Sequence, residues 1–238
     1  MRVYLDNSAT TQPFPRVVAV MREAMETGWH NPSALYKPAM EAEKRVSAVR
    51  ADCLKAVNAQ GQRLAFTSGG TEADNLAILG HLRTVKQPGR VLMLCVEHPA
   101  VLACQEEIRR LGHQVEEIPV NGQGVADLSW LEAHLDQDVR MICCMQVNNE
   151  TGAIQPLPEL SRLRDARCPQ AAIHVDGVQG FLRVPLDFRA LRIQSYAFSG
   201  HKIHGPKGVG GLIFQKDFRL SPLLFGGGQE EGLRSRCV

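Results

Sequence analysis

The chain has 238 residues, enough for one large domain or for one domain with a small appendage. With 44% apolar and 22% charged residues it can bury a sizeable core, and 27 Lys and Arg against 25 Asp and Glu leave a formal charge of +2. That balance gives neither nucleic acid nor an anionic membrane a reason to bind, and it points to a small-molecule substrate.

No run approaches the roughly 18 to 20 apolar residues of a membrane span, and Met1 to Asp6 lack a basic and then apolar leader, so the expectation is a cytoplasmic chain without membrane contact. Cysteines at 53, 95, 104, 143, 144, 168 and 237 contain no CxxC pair and are odd in number, which predicts reduced thiols and argues against disulfides or a zinc knuckle. Cys143 and Cys144 lie within the apolar run Met141 to Val147 and read as buried strand residues.

In chain order, the polar, turn-prone Tyr4 to Thr11 is followed by Pro13, Pro15 and a helical pattern from Val17 to Glu26 that Gly28 closes. After the loop Asn31-Pro32-Ser33 a long helix over Ala39 to Val57 carries an apolar stripe of Val46, Val49, Cys53, Leu54 and Val57. These front elements form a lead-in. Regular alternation begins at Arg63: strand Leu64 to Thr67, helix Glu72 to Val85, strand Val91 to Val96, helix Ala100 to Leu111 and strand Gln114 to Ile118. It continues with helix Leu128 to Leu135, strand Arg140 to Val147, helix Leu157 to Ala166 and strand Ala171 to Val175. Such alternation implies right-handed crossovers and a parallel sheet covered on both faces, hence an α/β domain of three layers, α/β/α. Past Gly180, the short apolar runs Gln194 to Phe198 and Val209 to Phe214 are expected to add an antiparallel edge.

Ligands of open α/β sheets bind beyond the carboxyl ends of the strands, so the residues following each strand matter most. Ser68-Gly69-Gly70-Thr71 opens a helix and suits a phosphate, because backbone N–H groups, the helix N-terminus and a hydroxyl converge there; it also suits a plain helix start. Asp176 could hold a protonated ring nitrogen or simply make an Asx turn before Gly177. His98, between Glu97 and Pro99, reads as a proton carrier or aromatic lid, or as a hydrogen-bonded loop residue. Lys202, where a strand ends in glycine-rich turns, is a surface lysine or an amine made nucleophilic by lost hydration.

The conjunction is more telling than any member. A phosphate cradle, an acid for a ring nitrogen, an aromatic for a ring face, amides for a ring oxygen and a lysine for an aldehyde match the needs of pyridoxal 5'-phosphate. No metal is expected, since His98, His174, His201 and His204 lack Cys or carboxylate partners at ligand spacing.

Tyr4 to Thr11, Thr67 to Asn75, Glu97-His98, Val147 to Gly152, His174 to Gln179, Ser199 to Lys202 and Gly226 to Glu230, in this order and covering Val3 to Ser235, resemble the NifS/IscS-like cysteine desulfurases of the class V aminotransferase family. The resemblance implies the fold type I large domain of pyridoxal phosphate enzymes, with segments 1–15 (N-terminal), 16–235 (cofactor-binding, including the lead-in) and 236–238 (a divergent tail).

It further implies that Lys202 carries the cofactor through its aldehyde and that Thr71, Ser199 and His201 bind the phosphate with the Gly70 backbone. Asp176 would hold the pyridine nitrogen, Gln179 the phenolic oxygen, Asn149 that oxygen and the substrate carboxylate, and His98 the ring face, with a part in proton transfer. The implied reaction converts L-cysteine to L-alanine and leaves sulfur as an enzyme persulfide. The implied partners are a second copy of the chain and sulfur-acceptor or iron–sulfur scaffold proteins; a selenocysteine lyase or another class V activity is the alternative. In that family Gly-Leu-Arg-Ser continues with Gly-Thr and a small C-terminal domain bearing the persulfide cysteine, so Arg236-Cys237-Val238 leads to the expectation of a truncated chain with impaired turnover, or of an inactive cofactor-binding fragment.

Overall fold

The computed structural model describes residues 3–235, so the expected tail 236–238, with Cys237, lies outside the described residues. Two front helices, α1 (Pro15–Thr27) and α2 (Lys37–Ala56), precede β1 (Arg63–Thr67), α3 (Gly70–Leu82), β2 (Arg90–Leu94), α4 (Pro99–Leu102), α5 (Gln105–Arg110) and β3 (Gln114–Ile118). Then come α6 (Leu128–His134), β4 (Val139–Cys143), α7 (Leu157–Arg167), β5 (Ala172–Asp176), β6 (Ser195–Ser199) and β7 (Gly210–Phe214). The strands form one sheet in the order β1-β7-β6-β5-β4-β2-β3.

Alternating side chains sort the core into two layers, as a period of two requires. Ala65, Val91, Met93, Met141, Cys143, Ala172, Ala197 and Leu212 face α3 to α5, while Leu64, Leu92, Ile142, Ile173, Val175, Tyr196 and Ile213 face α2, α6 and α7. The three-layer α/β/α reading therefore holds. The winding direction reverses between β2 and β4, which pair in parallel although β3 separates them in the chain, and loops diverge at such a point to leave a crevice.

Several expectations need correction. The helix over Ala100 to Leu111 is two short helices, since the Cys104 amide donates to Val101 three residues back and tightens the chain before α5. The last strand is no edge: β7 lies inside the sheet, antiparallel to both β6 and β1, and β1 takes the edge. Gly210 permits this, because a Cβ there would stand 2.6 Å from the Phe198 carbonyl oxygen and 2.7 Å from Gly69 Cα. Regular β4 stops at Cys143 rather than Val147, although Cys144 and Gln146 still donate to the His174 and Asp176 carbonyls. The lead-in packs less than its stripe suggests: α1 buries no residue, α2 buries only Ala39 and Leu54, and Val49 stays exposed.

The turn after β5 depends on two close approaches. Gly177 donates to the Ala197 carbonyl and lies flat on Tyr196, where a Cβ would come within 1.9 Å of the ring, and a Cβ on Gly180 would come within 2.0 Å of Gln146 Oε1. Gly177→Ala should therefore cost about 1–3 kcal/mol of stability through overpacking, read as a lower urea midpoint; an unchanged midpoint would mean that Tyr196 yields without strain.

Candidate active site

Carboxyl ends of β1, β2, β4, β5 and β6 surround a cavity of about 590 Å³. All nine residues named from the sequence line it: Gly70, Thr71, His98, Asn149, Asp176, Gln179, Ser199, His201 and Lys202. The boundaries shift by a residue or two, so that Asp176 and Ser199 are the last residues of β5 and β6 and Gly70 and Thr71 are the first two of α3. Asp74, Ser8 and Ala9 also line the cavity and were given no role from the sequence. Asp74 had a readable signal, an acid four residues after Gly70 and thus one helical turn below it. Ser8 and Ala9 had none, because they act through backbone carbonyls.

The N-terminal segment is clasped to the Lys202 turn. Thr11 donates from its amide and its hydroxyl to the His201 carbonyl at 2.9 and 2.8 Å, accepts from the His204 amide at 2.7 Å, and is buried. Phe14 stacks on His204 at 4.0 Å between ring centroids. The Lys202 amine donates to the carbonyls of Ser8 and, at 3.0 Å, Ala9. Burial lowers its pKa first and neighbouring Arg183 lowers it further, while Asp176 and Asp6 oppose the shift. Its neutral, nucleophilic form is thus favoured relative to a solvated lysine.

Around the start of α3 the backbone is open by necessity. A Cβ on Gly70 would lie 2.5 Å from Val178 Cγ2, and the Ser199 hydroxyl stands 3.9 Å from where a Gly69 Cβ would project. Glu72 turns away from the cavity to accept from Ser68 and pair with Arg234 at 2.6 Å, so α3 begins with its own carboxylate engaged elsewhere. His201 has its pKa lowered by burial and then by Lys202 and Lys207. His98 caps α4 by accepting the Ala100 amide at Nδ1, at 3.1 Å, which places the proton of a neutral ring on Nε2. Gln179 donates to the Ser8 carbonyl at 2.8 Å and accepts from Arg183 at 3.1 Å.

At the cavity floor Asp176 is 5% exposed and its carboxyl is pushed up to about 7, because burial removes its hydration and Asp74 faces it. The Val178 amide, donating at 2.8 Å, and the rings of His174 and His98 offset only part of this. A buried acid of this kind is relieved by a cation placed against it. The donor set fits pyridoxal 5'-phosphate: hydroxyls at Thr71 and Ser199 beside a backbone cradle that only glycine leaves open, an amine at Lys202, and an acid with no lysine or arginine paired to it among the described residues.

A folded-state pKa above the unfolded value gives stability that is complete below about pH 4 and is lost as pH rises through about 7. Asp176→Asn removes this dependence. Its stability relative to the parent protein, measured by urea unfolding without added cofactor, should improve between pH 4 and pH 7, by at most about 4 kcal/mol; a constant difference would show that Asp176 titrates like a solvated acid.

Comparison with known proteins gives the family and the fold. The aminotransferase class-V family profile matches residues 3–235. A cysteine desulfurase of Trichormus azollae is 37% identical over 233 residues, covering 98% of this chain and 58% of the relative, and cysteine desulfurase IscS 1 of Archaeoglobus fulgidus is 34% identical, with 98% and 60% covered. A solved NifS-like protein superposes with a TM-score of 0.96 at 34% identity, covering all of this chain and 66% of that one. The chain thus spans about three fifths of the length of these curated relatives. No helix among the described residues is long and apolar enough to cross a membrane. A profile match over nearly the whole sequence, on a fold whose strand ends gather a glycine-opened helix start, a buried acid and a partly buried lysine, shows that the chain belongs to the class V aminotransferases, a family dependent on pyridoxal 5'-phosphate.

Proposed function

We propose that this chain is the cofactor-binding part of a cysteine desulfurase, converting L-cysteine to L-alanine and passing the sulfur to a thiol as a persulfide. The observation that carries the reading is the convergence of Lys202, Asp176 and the Gly70–Thr71 helix start on one cavity, together with relatives described as cysteine desulfurases. A solved neighbour described as SspA in complex with cysteine, 28% identical with a TM-score of 0.90, supports cysteine as the substrate. When bound, pyridoxal 5'-phosphate supplies an aldehyde and an electron-withdrawing ring.

In this reading Thr71, Ser199 and His201 hold the phosphate with the Gly70 backbone, where the α3 N-terminus adds partial positive charge. Asp176 carries negative charge against the ring nitrogen. Gln179 orients toward the phenolic oxygen, and Asn149 serves that oxygen and the substrate carboxylate. His98, with its proton on Nε2, covers the ring face and moves protons. Lys202 would hold the cofactor through its aldehyde, and its amine would serve in proton transfer.

Sulfur transfer needs a mobile thiolate. No cysteine among the described residues lines the cavity, and Cys104, Cys143, Cys144 and Cys168 are buried with thiols raised by desolvation, Cys104 to about 12. Cys53 and Cys95 are half-buried and also stand away from the cavity lining, so in this reading the persulfide thiol is supplied from outside the described residues. A homodimer and a cytoplasmic setting are part of the same proposal, and the dimer is supported by the exposed Val18, Val20 and Met25 of α1 beside an apolar groove of about 780 Å³.

Borohydride treatment of the protein with pyridoxal 5'-phosphate should fix the cofactor mass on the peptide containing Lys202, and Lys202→Ala should abolish that labelling; labelling of another lysine would overturn the assignment. Incubated with cysteine and cofactor, the 238-residue chain should release alanine at least about a hundredfold more slowly than a full-length relative, a loss of at least about 2.7 kcal/mol in barrier terms. Alanine release at the relative's rate would show that sulfur transfer needs nothing beyond this chain.

A further inference from the structure

Behind the cavity floor lies a second acid that the roles above leave unused. Ala172, His174 and Asp176 alternate along β5 toward α3, and Asp74 projects from α3 onto the same face. Asp74 Oδ1 is 3.1 Å from His174 Nε2, and His174 Nδ1 is 2.9 Å from the Ser195 hydroxyl. Ser195 stands opposite His174 in the parallel register of β5 and β6. His174 and Ser195 are 0% exposed and Asp74 is 1% exposed, yet Asp74 forms part of the cavity wall. A continuous hydrogen-bonded chain thus runs from the dry sheet interior to the place where the cofactor ring is read to lie.

Two proton arrangements give Asp74 and His174 opposite donor and acceptor roles without charging the imidazole. In the first, ionised Asp74 accepts from His174 Nε2–H, and Ser195 donates to the bare Nδ1. In the second, protonated Asp74 donates to Nε2, and Nδ1–H donates to Ser195. The first puts a net negative charge where, among the described residues, no lysine or arginine is paired with Asp74: the titratable groups around it are Asp176 and His174 on β5, Glu97 before α4, Cys104 before α5 and Cys143 on β4. Glu97 is itself buried, with one oxygen accepting from the Met145 amide and the other unpartnered among the described residues. Crowded acids in one dry site cannot all ionise. Burial holds Asp74 well above the ordinary carboxylate range and drops His174 to about 4, both in keeping with the second arrangement.

We propose that Asp74 is a positioning residue that keeps its proton, donates it to His174 Nε2, and so leaves Asp176 as the acid at the cavity floor that carries charge toward a cationic ring nitrogen. Asp176 differs from Asp74 in accepting a backbone amide, that of Val178, and it lies within the field of Lys202. The role of Asp74 rests on the cofactor reading above, whereas its protonation does not.

Asp74→Asn tests both, because its amide can donate to the same imidazole nitrogen without any charge. In the infrared difference between parent and Asp74→Asn, the carbonyl stretch of a protonated carboxylic acid should persist from about pH 6 to about pH 8. Titrated by absorbance with pyridoxal 5'-phosphate, the variant should bind within about twofold of the parent and with the same pH midpoint, since no charge has been removed from beside Asp176. A carboxylate band in the difference spectrum, or an acid shift of about one pH unit in the binding midpoint, would overturn the proposal by showing that Asp74 is ionised. Loss of binding in the variant alone would overturn it too, and failure of the parent to bind the cofactor would sink the underlying cofactor reading while the infrared arm still decided the protonation.

Discussion

Everything at the open end of this sheet depends on a carboxyl group that has lost its water. Asp176 ends a strand whose five residues are all buried, and among the described residues no lysine or arginine is paired with it. A carboxyl in that position either keeps a proton or waits for a cation. The neighbouring acids sharpen the constraint, since Asp74 and Glu97 share the same dry region and each raises the cost of ionising the others. Three buried acids are expensive to fold around, and the two of them that line one cavity, Asp74 and Asp176, mark a binding site rather than a core.

The fold brings this about through register and close approach more than through individual contacts. Parallel pairing of β5 with β6 sets His174 against Ser195 and Asp176 against Ala197, so β6 runs two residues past the end of β5, and Gly177 and Gly200 open the turns that follow the two strands. Glycine is required at the first of these because Tyr196 lies under it, and Tyr196 is in turn held by hydrogen bonds to Gln146 at 2.7 Å and to the Gly177 carbonyl. On the other side, the N-terminal segment is drawn over the Lys202 turn by Thr11 and Phe14. A lysine held by backbone carbonyls in such a turn has already given up part of its hydration before it meets an aldehyde.

Much of this was legible in the residues. The alternation of strand and helix predicted three layers, and the polar residues after each strand named nine of the groups that line the cavity. Element ends were less exact for an identifiable reason. Asp176 and Ser199 read as loop because polar residues interrupt the apolar runs, whereas both still pair in the ladder. The antiparallel strand was recognised but misplaced, since the pattern of β1 shows that it is a strand and not that it adds outside β7. Likewise Asp74 lay in plain view within Thr71 to Asn75, but its partner His174 is 100 residues away and its burial follows from packing of α3 on the sheet.

What the amino-acid order determined by itself was local and chemical: the periods of two and 3.6 that make a covered parallel sheet, the glycines that open the start of α3, and the residue types suited to a phosphate, an aldehyde and a ring nitrogen. Tertiary structure alone decided which of those residues share one cavity, where β7 sits, and which acids face one another without water. Those outcomes depend on dielectric surroundings and on contacts between residues distant in the chain, and a carboxyl's proton affinity is a property of that environment rather than of its place in the sequence.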